Sequence, residues 1–370
     1  MKATVELKEF KNAVDRVSLG VPVRSAIPIL TGILIETENK TTIKMTSNDI
    51  EMGIVARCPA VIEEEGSIVL PGKLFIGIIR GMNGGAVMMT TQPERCITEV
   101  TCGKSFFKLS GYPAESFPVF PPFDETRYFT VKSEQLRAGF NQTIFAVSDD
   151  ETRASLTGVL IEKKEDVIYL AATNGHRLSL HRMEYFNNQF EDRIRYIIPA
   201  RVALAIMRSL SGEMVKVIPG PGEILFDLNR VMIYSRLIEG AFPEYETVLP
   251  LDYMATITVP RKKFLEVLER VSLVTTPEEE TIYFHFEGNQ LQMTCESQGL
   301  GIAKEEIEVD IEGQILDLAF NIRFLVECVR VAPWEKIIIG INGEVAPTLM
   351  FGDTDEFRYI IMPIKVREEE

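Results

Sequence analysis

The sequence predicts an α+β protein built from three copies of one structural unit. Three segments begin alike, each with a short β-type stretch followed by a helix: TVELKEFKNAVDRVSL at 4–19, TVKSEQLRAGFNQTIFAVS at 130–148 and TVPRKKFLEVLERVSLV at 258–274. Their starts lie 126 and 128 residues apart. A period held over the whole chain indicates repeated units. We therefore expect three domains, at 1–122, 128–250 and 251–370.

The spacing of apolar residues predicts the first helix of each unit. At 7–17 and again at 264–271, apolar side chains recur every three or four residues, which places them on one face of a helix. A second helix follows in each unit: VLPGKLFIGIIRGM at 69–82, IIPARVALAIMRSL at 197–210 and LAFNIRFLVECVRVA at 318–332. Proline stands at the entrance of the first two, where its missing N–H group costs nothing.

Strand-like alternation fills the rest of each unit in the same order. GILIET at 32–37 corresponds to GVLIEK at 158–163. The next stretch also recurs three times: TIKMTSNDIEMGI at 42–54, VIYLAATNGHRLSL at 167–180 and NQLQMTCESQGLG at 289–301. Each unit therefore contains about two helices and eight short strands.

Composition limits the class of protein. The 370 residues are 46% hydrophobic and 25% charged, which is typical of a globular chain large enough for two or three domains. No apolar run approaches the length of a membrane span, and the start, MKATVELKEF, lacks the pattern of a signal peptide. The five cysteines include no C-x-x-C pair, which argues against disulfides and structural zinc. We expect a cytoplasmic protein that needs no metal or cofactor.

Charge is segregated by type of structure. The net charge of −15 by itself argues against a nucleic-acid partner. Yet the six predicted helices carry 15 Lys and Arg against six Asp and Glu, and the rest of the chain carries 24 against 48. Lys and Arg are good helix formers, but so is Glu, which is abundant elsewhere. We therefore expect the helices to present a basic surface to a polyanion.

The stretch ATNGHRLSL at 172–180 permits two interpretations. His176 is one of three histidines and could act as a general base. A base needs a nucleophile and an orienting group, and no clear set stands nearby. Alternatively, Asn174 and Gly175 form a tight turn between strands. The second interpretation is favoured because the sister repeats place TSNDIEMGI and TCESQGLG at the same position.

A resemblance covers the whole chain. It rests on ATNGHRLSL and on six further stretches: PVRSAIPILTGILIE at 22–36, TSNDIEMGIVARC at 46–58, GYPAESFPVF at 111–120, ETRASLTGVLIE at 151–162, EGAFPEYETVLP at 239–250 and YIIMPIKV at 359–366. The pairing of A-T-x-G-H-R-L with Y-x-x-M-P-x-x at this separation is its most specific signal. In these stretches the chain resembles the β subunit of bacterial DNA polymerase III, the replicative sliding clamp family.

The resemblance implies the DNA-clamp fold and a ring. Two chains of three clamp domains would join head to tail, with twelve helices lining a hole around double-stranded DNA. The subunit would be a non-catalytic processivity factor for DNA replication, binding the polymerase α subunit, the clamp loader and other replication or repair proteins. Phosphate contacts carry no sequence information, so they would permit sliding.

The DNA-facing residues are predicted from two sources. The resemblance marks Arg24, in the loop before PILTG, most directly. Charge segregation adds the basic residues of the helices: Lys73, Arg80, Arg137, Arg201, Arg208, Arg270 and Arg323. Some clamps carry aromatic residues after the arginine of ETRASLTG, whereas this chain has Ala154 and Ser155. We therefore expect no stacking on DNA at that point.

The resemblance also assigns a cleft for partner peptides. Its predicted residues are Leu156, Thr173, Gly175, His176, Arg177, Leu178, Pro243, Val248, Ile360, Met362, Pro363 and Ile364. Gly175 would keep the floor of the cleft low and Arg177 would offer a polar anchor at its rim. Methionine suits a groove that accepts several partners, because its side chain repacks easily. Two departures are Asn174, where the family usually has aspartate, and the REEE extension at 367–370, which would compete with acidic peptides.

Dimer closure is expected between the edges of the first and third repeats. KSFFKLS at 104–110 alternates as an edge strand does. The resemblance places Phe107 and Leu109 against Leu273 and Val274. It also sets Lys73 opposite the acidic run that contains Glu305 and Glu306, although such a run is also typical of a solvated strand.

Two other classes of function remain possible from the sequence. An α/β enzyme using His176 would have a deep pocket and a turnover, but it leaves the threefold repeat unexplained. A repeat-built scaffold would bind proteins without encircling DNA, and charge segregation argues against it. GMNGG at 81–85 and PGPG at 219–222 are interpreted as turns, because neither lies between a strand and a helix as a phosphate loop requires.

Overall fold

The structure, a computed structural model, describes residues 1–190, 194–250 and 252–365. The REEE extension lies outside these residues. Within them the chain forms six α-helices and twenty-six strands, and the paired strands run antiparallel. This content confirms the predicted α+β class. None of the described helices is long and apolar enough to cross a membrane.

The six helices lie within the six segments that the sequence analysis assigns to them. They are α1 (Leu7–Val17), α2 (Gly72–Gly81), α3 (Ser133–Thr143), α4 (Ala200–Ser209), α5 (Arg261–Val271) and α6 (Ile322–Val331). Side chains cap two of their starts. The Glu6 carboxylate accepts from the amides of Lys8 and Glu9 at 3.1 and 2.9 Å, and Asn321 accepts from the amide of Phe324 at 3.2 Å.

The strands are short and follow the order of the repeats. They are β1 (Lys2–Glu6), β2 (Gly32–Asn39), β3 (Thr42–Asn48), β4 (Met52–Pro59), β5 (Val61–Glu64), β6 (Ser67–Pro71), β7 (Ala86–Gln92), β8 (Ile97–Cys102), β9 (Ser105–Ser110), β10 (Phe129–Lys132), β11 (Gly158–Lys164), β12 (Val167–Thr173), β13 (Arg177–Glu184), β14 (Arg195–Pro199), β15 (Met214–Gly220), β16 (Glu223–Asp227), β17 (Val231–Arg236), β18 (Ala255–Pro260), β19 (Thr281–Glu287), β20 (Gln290–Ser297), β21 (Gly301–Glu308), β22 (Asp310–Gly313), β23 (Leu318–Asn321), β24 (Lys336–Ile341), β25 (Thr348–Phe351) and β26 (Phe357–Ile361).

The chain divides into two compact units by its internal contacts. The first contains 1–134, 185–190 and 201–237 of the described residues, and the second contains 135–184, 194–200, 238–250 and 252–365. The second predicted domain, 128–250, thus contributes to both units. The predicted domain boundaries stay a prediction.

The first unit contains two sheets. A five-stranded sheet has the order β5-β1-β7-β8-β9, and an eight-stranded sheet has the order β10-β15-β16-β17-β4-β3-β2-β6. Strands β17 and β4 pair from Val231 opposite Ala56 to Ser235 opposite Met52. This pairing joins strands of the first and second repeats into one sheet.

The second unit has the same design. A nine-stranded sheet has the order β14-β11-β12-β13-β26-β25-β24-β18-β22, and a four-stranded sheet has the order β21-β20-β19-β23. Strand β13 pairs with β26, again joining consecutive repeats. Between these sheets, Phe264 of α5 and Leu325 of α6 pack in one apolar core with Phe284, Trp334 and Phe357. Burial of such side chains stabilises the unit.

Candidate functional site: an apolar cleft

A cleft of about 300 Å³ lies in the second unit. Ten of the twelve residues predicted for the peptide site line it: Leu156, Thr173, Gly175, His176, Arg177, Leu178, Pro243, Val248, Ile360 and Met362. Pro363 and Ile364 follow directly but do not line it. The sequence analysis missed four lining residues, Arg153, Glu244, Tyr245 and Thr247. All four lie within the stretches ETRASLTGVLIE and EGAFPEYETVLP. Their position next to predicted cleft residues could have indicated that they line the cleft.

Neighbouring strands bring the distant residues together. Thr173 of β12 lies opposite Leu178 of β13, which in turn lies opposite Ile360 of β26. Directly after β26, the amide of Met362 donates to the carbonyl of His176 at 2.9 Å. Side chains opposite one another in a sheet share a face. The sheet register therefore forms one side of the cleft.

The turn at 173–177 is fixed by its own side chains. The hydroxyl of Thr173 accepts from the amide of Gly175 at 3.1 Å and donates to the carbonyl of Arg177 at 2.6 Å. The side-chain oxygen of Asn174 accepts from the amides of His176 and Arg177 at 3.0 and 3.2 Å. Either asparagine or aspartate supplies this acceptor, so the departure at Asn174 preserves the turn.

Gly175 is required by its backbone conformation. Its φ of +92° lies in a region that other residues rarely adopt. A Cβ atom there would also lie 3.2 Å from the guanidinium of Arg153. The prediction that Gly175 keeps the floor of the cleft low stays a prediction.

The predicted rim position of Arg177 is wrong. Its side chain is only 5% exposed, and its guanidinium pairs with Glu327 of α6 and donates to the carbonyl of Phe145. The guanidinium carbon also lies 4.1 Å from the centroid of the Phe324 ring. A buried cation depends on such partners for its stabilisation, so Arg177 is expected to keep these contacts. The exposed rim cation is instead Arg153, which donates to the carbonyl of Asn174 at 3.4 Å.

The surroundings of the three histidines give little support for a catalytic role. The side chain of His176 lines the open cleft. His181 is buried beside Gln142, and burial lowers its pKa to about 4, so it is neutral at physiological pH. His285 pairs with Asp317 on the surface, and their hydrogen bond raises its pKa. Among the described residues, no group of three or more His, Cys, Asp or Glu side chains is arranged to hold a metal ion.

The residues predicted to face DNA are all exposed. Four of them have carboxylate partners within the chain. Arg80 pairs with Asp15 at 2.7 Å, Arg270 binds Glu305 through two nitrogens at 2.5 Å, and Arg323 lies 3.4 Å from Glu280. Arg201 pairs with Asp49. Exposed pairs contribute little to stability, so a phosphate can compete for these arginines.

The predicted dimer residues lie on or beside two edge strands. Within the described residues, β9 is an edge strand of the five-stranded sheet, and β21 is an edge strand of the four-stranded sheet. Phe107 is 37% exposed, beside a groove of about 650 Å³ that Lys73 and Leu74 also line. Leu273 is 79% exposed in the turn Ser272–Val274.

Three other predicted dimer residues face their own chain. Leu109 is buried and lies opposite the fully buried Thr98 of β8. Val274 packs against the core of its own unit. Glu305 accepts from Arg270 of its own chain, and its predicted pairing with Lys73 stays a prediction. Glu306 is exposed and accepts a hydrogen bond from Gln292 at 2.8 Å.

These features define a class of protein: a repeat-built α+β chain with exposed basic residues on its helices and an open, largely apolar cleft. Comparison with known proteins gives the family. Models of the N-terminal, central and C-terminal domains of the DNA polymerase III beta subunit match residues 1–121, 130–244 and 246–365. The chain belongs to the DNA polymerase III beta subunit family, the bacterial sliding clamps. The predicted family, clamp fold and non-catalytic class are thereby confirmed.

Individual relatives match along their whole length. The chain is 28% identical to the beta sliding clamp of Synechocystis sp., covering 99% of this chain and 100% of that protein. It is 26% identical to the beta sliding clamp of Chlamydia pneumoniae, covering 100% of both. The crystal structure of the DNA polymerase sliding clamp from Bacillus subtilis superposes with a TM-score of 0.93 at 26% identity, covering 99% of this chain and 100% of that one.

Proposed function

We propose that two copies of the chain close into a ring around duplex DNA and tether the replicative polymerase to it. The observation that carries this proposal is the match of three consecutive beta-subunit domains to one chain. The exposed basic residues of the helices support non-specific phosphate contacts. The proposed domains are 1–122, 128–250 and 251–370, and the proposed location is the cytoplasm, on nucleoid DNA.

Ring closure predicts retention by topology rather than by affinity. After loading onto a nicked circular plasmid by a clamp loader, the protein should survive a wash at about 1 M salt, because screening weakens phosphate contacts but does not open a ring. Cutting the plasmid should then release the protein. Gel filtration of the washed DNA, with and without the restriction enzyme, measures the bound fraction.

The control is the same plasmid cut before loading, which should retain almost no protein at this salt. Equal loss from cut and intact circles would mean that ordinary affinity holds the protein. No retention on either DNA would favour the alternative of a protein-binding scaffold that never encircles DNA.

We further propose that the cleft receives linear peptides from the polymerase α subunit, the clamp loader and other clamp-binding proteins. The support is its apolar lining, with Leu178, Val248 and Met362 around an open volume. Arg153 and Glu244 supply opposite charges at the lining. Such a groove fits an extended segment whose apolar side chains enter it.

Changes to the cleft should weaken peptide binding. Met362→Ala, Gly175→Leu and deletion of 362–370 should each raise the Kd of a short polymerase-derived peptide by about 30-fold, since truncating a central anchor commonly costs about 2 kcal/mol. Calorimetric titration measures the effect. Val345→Ala is the control, because Val345 is exposed in the same unit but is neither in the lining nor among the predicted cleft residues.

Deleting only 367–370 should leave binding intact or strengthen it slightly at low salt, because three carboxylates are lost. Unchanged affinity in all three cleft variants would place the peptide site elsewhere on the protein. Dimer mass and DNA retention should not change in any of them.

A further inference from the structure

One side of the cleft is formed by a segment with little regular structure of its own. Residues 242–248 contribute Pro243, Tyr245 and Val248 to the lining, but their only regular structure is the single 3₁₀ turn Tyr245–Val248. Such short turns have poor hydrogen-bond geometry. Contacts from elsewhere must therefore set the position of this segment.

A buried carboxylate lies behind it. Glu162 of β11 is fully buried. Its Oε2 atom accepts from the Tyr245 hydroxyl at 2.8 Å and lies 3.1 Å from the Lys164 ammonium. Its Oε1 atom lies 3.9 Å from Nε of Arg195, which is its neighbour across the sheet on β14. A charge buried this deeply requires such partners.

Both cations also hold the segment itself. The Lys164 ammonium lies 2.7 Å from a carboxylate oxygen of Glu246, and the Arg195 guanidinium lies 2.5 Å from Glu244. Arg195 also donates to the carbonyls of Phe242 and Pro243, each at 3.1 Å. Contacts from Phe242, Pro243, Glu244 and Glu246 thus lead, through two cations, to the carboxylate of Glu162.

The hydroxyl of Tyr245 remains a donor throughout the physiological range. Burial and the hydrogen bond to Glu162 both raise its pKa. The hydroxyl can therefore donate to the carboxylate without competition from its own ionisation. The Lys164 ammonium also lies 5.1 Å from the centroid of the Tyr245 ring, which adds a cation–π contact.

We propose that Glu162 is a positioning residue of the cleft: it orients Lys164, Arg195 and Tyr245, and these hold 242–248 at the distance that admits a peptide. This inference rests on the proposed role of the cleft. Without the carboxylate, two cations that share one anion would repel each other and their hold on the segment would loosen. Glu162 itself does not line the cleft, so its effect on binding is indirect.

Glu162→Gln tests the proposal because it keeps the shape and removes the charge. In the free protein, amide hydrogen exchange at 242–248 should speed up about tenfold or more, while exchange in β11, β12 and β13 stays unchanged. The Kd of the cleft peptide should rise about tenfold, mainly through faster dissociation. Glu269→Gln is the control: it removes the carboxylate of an exposed pair with Arg330 in the same unit and should change neither quantity.

The outcomes separate the two proposals. Unchanged exchange at 242–248 overturns the positioning role, as does faster exchange throughout the unit, which would make Glu162 a general stabilising residue. If Glu162→Gln does not fold, Tyr245→Phe removes only one donor and is judged by the same criteria. A wild-type protein that binds no peptide would overturn the proposed use of the cleft, while the exchange result would still decide whether Glu162 positions the segment.

Discussion

Replacing Phe107 and Leu273 by aspartate is expected to shift the protein from about twice the 41.7 kDa chain mass to a single chain. Both side chains are exposed, Phe107 on the edge strand β9 and Leu273 in a turn that contacts the edge strand β21, and the proposed dimer would cover both. Closing a ring pairs unsatisfied strand edges and buries apolar side chains. Two carboxylates per interface would be desolvated without partners, which strongly opposes association.

Light scattering at micromolar concentration measures this change, and far-ultraviolet circular dichroism checks that the domains remain folded. Met88→Asp is the matched control. Met88 is as exposed as these residues but stands on β7, in the interior of the same five-stranded sheet as Phe107. A double variant that stays dimeric, or a wild-type chain that is monomeric or trimeric, would refute the proposed ring.

Removing Glu327 should strongly destabilise the second unit. Glu327→Ala leaves the Arg177 cation buried without its carboxylate, and breaking a buried pair in this way costs about 3–5 kcal/mol. We expect the lower end, because Glu327 is 31% exposed and Arg177 keeps its contacts with Phe145 and Phe324. Calorimetry should show a lower Tm for one transition, since two units need not unfold together.

Two comparisons make this prediction specific. Glu269→Ala breaks the exposed pair with Arg330 and should cost less than about 1 kcal/mol. The double replacement Arg177→Met with Glu327→Leu should recover much of the loss, because it removes both charges together. If Glu327→Ala were no worse than Glu269→Ala, the pair would not stabilise the unit.

The sequence predicted what depends on neighbouring residues. The helices follow from apolar spacing, which is local, and their bounds agree within a few residues. The turn at 173–177 follows from Asn174 and Gly175, whose preferences are equally local. The strand at 104–110 was correctly predicted to be an edge strand, but of its two predicted dimer residues only Phe107 is exposed. Leu109 is buried, although both residues lie opposite buried residues of β8, so strand alternation alone did not decide their exposure.

The prediction of the cleft depended on the resemblance to a known family rather than on local sequence patterns. Its residues come from 153–178, 243–248 and 360–362, and nothing in the spacing of these segments requires them to meet. The register of β12, β13 and β26 brings them together. In the folded chain, ten of the twelve residues predicted for the cleft line it. The resemblance indicates individual residues of the cleft, and it did not indicate their neighbours Arg153 and Tyr245.

The sequence by itself determined the threefold repeat, the α+β class and the segregation of charge onto the helices, because all three are patterns along the chain. Only the tertiary structure decided the role of each charge. Arg177 follows a polar turn, yet Glu327, 150 residues away, holds it in the interior. Glu162 occurs in a strand with Lys163 and Lys164 and resembles a solvated residue, yet the segment after Phe242 covers it. A charged side chain can be buried only where partners from other segments meet it, and those meetings are set by the fold.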